Sequence, residues 1–104
     1  MLALGSLPMT PLRQRLTQDL QLRNFAPRTV SVYVAHVAHF ALHFGQSPDL
    51  LSANHVRQYQ LHLLAHKASW SRFNQAVCAL RFLYKVTLQR PDLVVAIPFG
   101  KKPA

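Results

Sequence analysis

The 104-residue chain contains no glutamate, and its only acidic residues are Asp19, Asp49 and Asp92. Against them stand 12 Lys and Arg, for a formal net charge of +9 with the histidines neutral. Charge of that density argues for an anionic polymer or surface as partner, because it raises both encounter rate and non-specific affinity for phosphate. Cys78 is the only cysteine, which excludes an internal disulfide and fits a reducing cytoplasm. No run approaches the roughly 18 apolar residues that a membrane-spanning helix needs. The opening Met1-Leu2-Ala3-Leu4 lacks a basic flank, and Pro8 comes too early for a secretory apolar segment. A β-hairpin signal and an internal repeat are also missing. These absences imply a cytoplasmic, nucleoid-associated protein with no membrane partner. What remains is half hydrophobic, enough for one globular domain with a modest core rather than a disordered basic tail.

Helical punctuation organises that core. Thr10-Pro11 reads as an N-cap with proline at the first helical position, opening a helix to about Arg23 with Leu12, Leu16 and Leu20 inward and Phe25 just beyond. Pro27 opens a longer second helix that stops at Phe44 before Gly45, a natural C′ glycine. Its stripe of Val30, Tyr33, Val37, Phe40 and Phe44 repeats at helical spacing. Gln46-Ser47-Pro48-Asp49 is a turn. Ser52 caps a third helix to about His66, with Val56, Tyr59 and Leu63 inward. Ser69 or Ser71 caps a fourth that lasts to about Leu88, with Trp70, Phe73, Val77, Leu80 and Tyr84 inward. The expected fold is an all-α four-helix bundle. Residues 1–9 are expected as a flexible N-terminus, 10–88 as the helical domain and 89–104 as an extended interdomain linker toward an absent catalytic domain. A short apolar anchor within that linker falls at Leu93 to Ile97.

Helical projection at about 100° per residue separates core from outward faces. Opposite the second helix's stripe lie Arg28, Val32, His36, His39 and His43, with Thr29 at the edge. On the fourth helix the opposite side holds Ser71, Gln75, Ala79 and Phe82, with Arg72 at one border and Arg81 and Lys85 at the other. Each helix thus presents donors near its N-terminus, where side chains and helix dipole both favour phosphate. Arg28 and Arg72 suit guanine edges or phosphates; Thr29, Ser71, Asn74 and Gln75 suit bases or backbone.

The strings Ala26-Pro27-Arg28-Thr29-Val30 through Phe40, and Ser71 through Tyr84 with Asn74 and Ala79-Leu80-Arg81-Phe82-Leu83-Tyr84, resemble the N-terminal core-binding domain of tyrosine recombinases of the phage-integrase type. Ile97-Pro98-Phe99-Gly100-Lys101-Lys102-Pro103 looks like the linker that precedes their catalytic domain. The resemblance implies a SAM-like bundle forming half of a clamp around the recombination site, with the second and fourth helices across the major groove. It implies double-stranded DNA, the catalytic domain of the same full-length protein and full-length protomers in a synaptic tetramer as partners, with no cofactor. DNA contacts are expected from Arg28, Thr29, Val32, His36 and His39, from Ser71, Arg72, Asn74, Gln75, Arg81 and Lys85, and from Lys101 and Lys102 of the linker. Two positions depart from the family pattern: Ala26 where serine is frequent, and Phe73 where threonine or isoleucine is usual. The family's catalytic residues lie in the domain absent here. Tyr33, Tyr59 and Tyr84 all fall on inward stripes, so no catalytic residue is expected in this chain.

Six histidines are many for this length. His62 and His66 are spaced i, i+4, which suits zinc, but no acidic residue is near in sequence and Cys78 lies on another helix. No metal is therefore expected. Surface imidazoles that gain charge near pH 6 to 7 are the plainer reading. A competing class of function is a basic helical adaptor that docks an acidic protein partner.

Overall fold

A computed structural model describes residues 11–95. Among them there are helices and turns and no strand: α1 (Pro11–Leu22), α2 (Pro27–Phe44), a 3-10 turn at Pro48–Leu50, α3 (Ala53–Ala65), α4 (Trp70–Phe82), a π-helical turn at Leu83–Thr87 and α5 (Pro91–Val95). The all-α bundle expected from periodicity is the architecture found. The expected N-terminal stretch 1–9, the cap at Thr10 and the linker positions 96–104, with Lys101 and Lys102, lie outside the described residues.

Each helix ends where its sequence punctuates it. Gly45 sits at φ 65°, and the Gln46 N–H reaches back to the Ala41 carbonyl at 3.2 Å, closing α2 in a left-handed cap. Asn24, Lys67 and Gln89 adopt the same positive φ without being glycine. The Phe25, Ala68 and Arg90 N–H groups make the matching return bonds to Leu20, Leu63 and Tyr84. At the start of α4 the Ser69 hydroxyl accepts from the Arg72 N–H at 3.1 Å. The α3 cap is reciprocal in an unusual way: the Ser52 N–H donates to His55 Nδ1 at 3.0 Å, so histidine fills the place of glutamate in a capping box. Ala26, ahead of α2, supplies no side-chain cap.

The core runs through every helix: Leu16 and Leu20 of α1; Val30, Val34, Val37 and Phe40 of α2; Val56, Tyr59 and Leu63 of α3; Ala76, Val77, Ala79 and Leu80 of α4. Tyr33, Phe44 and Phe73, placed inward by periodicity, are half-buried and pack on its rim, while Val34 joins the stripe. Ala79 is a correction, since the helical wheel set it outward but it is fully buried. α4 is covered by α2 on one side and α3 on another, so a residue opposite the main stripe still meets protein. Phe82 is likewise half-buried, edge-on to Phe25 at 5.6 Å.

The fourth helix does not run as α-helix to Leu88. Its last turn widens, with the Leu88 N–H bonded to the Leu83 carbonyl at 2.8 Å. The wider turn lets Leu83, Tyr84 and Thr87 all face the core. Tyr84 then donates its hydroxyl to the Pro48 carbonyl at 2.8 Å, and Thr87 donates to Asp19 at 2.9 Å. The segment after Gln89, expected as extended chain with a short apolar anchor, forms α5 over its described part. Leu93 and Val94 are buried there. Apolar contact at that pair outweighs what the flanking proline and charges suggest.

Candidate nucleic-acid interface

The side chains that meet across α2 and α4 fix how the two helices run. Phe25 meets Phe82, Tyr33 meets Cys78, and His36 meets Gln75. Numbers rise along one helix as they fall along the other, so the pair is antiparallel. The N-terminal turns of the two helices, each expected to present donors to phosphate, therefore lie at opposite ends of the pair. His39 stands near Arg72, and Arg28 lies eleven residues before His39, or roughly 16 Å along the axis at about 1.5 Å per residue.

At the Arg72 end the helices leave a shallow cleft of about 430 Å³ lined by Val32, Ala35, His36, His39, Ser69, Ser71, Arg72 and Gln75. Six of these residues, Val32, His36, His39, Ser71, Arg72 and Gln75, were expected as DNA contacts, and the fold gathers them into one place. His36 Nε2 lies 3.4 Å from Gln75 Oε1 and bridges the seam. Partial burial holds the His36 imidazole below its usual pKa. The Gln75 contact opposes that shift, whereas Arg72 and His39 nearby reinforce it. Near neutral pH the fixed charge of the cleft is thus the exposed Arg72 guanidinium.

Ala35 and Ser69 were not among the expected contacts. Ala35 was legible, since Val32, Ala35, His36 and His39 are spaced i, i+3, i+4 and i+7, one face of a helix. Its small, exposed side chain lines the cleft. Ser69 is doubly placed, lining the cleft while capping α4.

The other expected contacts lie elsewhere. Arg28 is exposed and Thr29 half-buried at the opposite end of α2, where Ala26 leaves the first turn without a side-chain cap. By the antiparallel register Lys85, exposed in the π-helical turn, lies toward that same end. Asn74 is half-buried beside the cleft but does not line it. Arg81 donates from Nη1 to the Val94 carbonyl at 3.1 Å, tying α5 to α4. Arg90, counted in the sequence only as charge, lies over the Tyr84 ring at 5.7 Å and points toward the Leu51 carbonyl at 3.4 Å. Nothing in sequence spacing announces these two carbonyl contacts, because their partners are distant along the chain.

The three phenols are all held more firmly in the protonated form than a free tyrosine. Burial pushes Tyr84 up to about 12, an effect that Arg90 opposes and Asp49 assists. Burial also raises Tyr59 and, with Cys78 beside it, Tyr33. Phenolate is thereby disfavoured at all three sites. Among the described residues no group of three or more His, Cys, Asp or Glu is arranged to hold a metal ion, and no helix is long and apolar enough to cross a membrane.

The arrangement defines an all-α basic bundle with a polar seam between two antiparallel helices. The family described as phage integrase, N-terminal SAM-like domain, matches residues 12–92, and the chain belongs to that family. A protein of Sinorhizobium fredii (strain NBRC 101917 / NGR234) named "Putative integrase/recombinase y4qK" is 46% identical over 100 residues. That match covers 93% of this chain and 32% of the relative, so the chain spans about a third of the relative's length. No solved structure matches the chain significantly.

Proposed function

We propose that this chain is the DNA-gripping module of an integrase-type tyrosine recombinase and performs no strand cleavage itself. One observation carries the reading: two helices bring hydroxyl, amide, imidazole and guanidinium groups into a single open cleft on a strongly basic chain. Arg72 supplies a fixed positive charge there, Ser71 and Gln75 donate to phosphate or base edges, and Val32 suits a thymine methyl group. Arg28, about three helical turns away along α2, contacts a second stretch of backbone, so the α2–α4 pair lies along the duplex and touches it at two places. In the whole protein this module clamps the recombination site opposite a catalytic domain, and protomers assemble into a synaptic tetramer.

Charge reversal tests the reading. Arg28→Glu and Arg72→Glu each remove one exposed cation, and circular dichroism checks that the helices persist. In gel shifts at low salt, the double variant is expected to lose at least tenfold in duplex affinity, and the salt dependence of the residual binding to become shallower. Binding undiminished in the double variant would exclude this face as the DNA surface. Binding to acidic proteins but to no duplex would favour the adaptor reading instead.

A further inference from the structure

The histidines not used by the cleft continue it. His43 follows His39 by four residues on α2 and so lies one turn further along the same face. Its ring is 4.4 Å from that of His62 on α3, and His62 is 4.2 Å from His66. The His66 Nδ1 lies 2.9 Å from the His62 carbonyl, so that nitrogen carries the hydrogen and donates it. Three imidazoles thus form a chain of touching rings that begins where the cleft ends.

Among the described residues, the charged groups acting on His62 are its two neighbouring imidazoles, His66 and His43. Tyr59 of α3 packs against both His43 and His62, and the charge of Arg72, at the first turn of α4, reaches Tyr59; Lys67 follows His66 in the connecting turn. The chain's three carboxylates lie on α1, in the 3-10 turn and on α5. Asp19 is taken up by Thr87. His55 differs from the strip because its Nδ1 accepts the Ser52 N–H, a bond that needs the ring neutral at that nitrogen.

We infer that His43, His62 and His66 form an extension of the DNA surface that takes up protons as duplex phosphates are laid against it. Contiguous imidazoles repel one another's charge, so a proton on one ring disfavours a proton on the next until a counter-charge is supplied. Consistently, desolvation and the two neighbouring imidazoles both lower the proton affinity of His62. Phosphates supply the missing counter-charge, and protons are then taken up with the DNA. By linkage, affinity rises as pH falls through the imidazole range. The inference rests on the DNA-binding reading above and deepens it. The strip makes the grip pH-dependent while Arg72 provides a constant part.

The test compares the full 104-residue chain with a triple variant, His43→Gln, His62→Gln and His66→Gln, on a mixed-sequence duplex at constant ionic strength. Fluorescence anisotropy at about pH 6 and about pH 8 gives an affinity ratio for each protein. The unaltered chain is expected to bind at least about tenfold tighter at the lower pH, the gain from two imidazoles whose pKa values each rise by about one unit on binding. In the triple variant the ratio falls to roughly threefold or less, left over from His36 and His39. Calorimetry of the unaltered chain near pH 6.5, in two buffers of different ionisation enthalpy, counts protons directly and does not depend on the variant folding. Net uptake supports the strip, and no uptake overturns it. An equal ratio in both proteins also overturns it, while leaving the DNA-binding reading intact. No duplex binding at either pH instead defeats the DNA-binding reading itself.

Discussion

Tyr84 shows how far a single residue can exceed its sequence appearance. Helical spacing places it on an inward stripe, and it is indeed fully buried. Spacing says nothing of the destination of its hydroxyl, the Pro48 carbonyl in the turn after α2. That bond joins the end of the bundle's central helical segment to a loop thirty-six residues earlier. Tyr84→Phe keeps the ring and strands a carbonyl in the interior, so a loss of about 1–2 kcal/mol is expected. A shift in urea midpoint at unchanged slope would register it. A midpoint that does not move would mean that water replaces the hydroxyl. Alkaline ultraviolet titration provides a second check, because this phenol should not ionise until about 12.

At the scale of elements, apolar period and turn chemistry carried most of the information. Pro27 and Gly45 bound α2 because one fixes a helical φ and drops an N–H while the other accepts φ 65°. The cleft was legible for the same reason: outward residues three and four apart must share a face. Orientation was not legible. Two similar helix openings look like a pair in one dimension, but short connections through α3 turn α4 back against α2 and separate Arg28 from Arg72. The role of Arg81 was hidden for a related reason, since its partner is a carbonyl on a five-residue helix stabilised mainly by burial of Leu93 and Val94. Arg81→Met keeps much of the aliphatic stem and removes the donor. Stability should fall by about 1 kcal/mol, and amide exchange in Leu93 and Val94 should accelerate more than in α2. Duplex affinity should fall less than in Arg72→Glu. The reverse order would make Arg81 a DNA contact rather than a tether.

For the whole molecule, charge sets folding and binding against each other. Three acids cannot neutralise 12 cations, so the chain folds against its own repulsion and is relieved by a polyanion. The imidazoles extend this conflict into the physiological pH range. His36 and His62 both have proton affinities lowered in the folded state, chiefly by desolvation, with Arg72 and His39 adding to the effect at His36 and His66 and His43 at His62. The unfolded chain therefore binds more protons than the native one as pH falls through and below about 6.5, and stability must decrease in that direction. Above that range both states carry neutral imidazoles and the effect vanishes. On the DNA-binding reading proposed above, duplex phosphates would reverse the sign by favouring the charged rings. Urea unfolding near pH 5.5 and near pH 7.5 should give the lower midpoint at acid pH for the free chain, and a saturating duplex should shrink or invert the difference. His36→Gln should remove part of the acid-side loss without lowering stability at pH 7.5 by more than about 1 kcal/mol, since glutamine can keep an amide contact to Gln75. If the free chain is instead more stable at pH 5.5, these histidines gain charge on folding. The clamp would then hold its positive charge before any phosphate arrives.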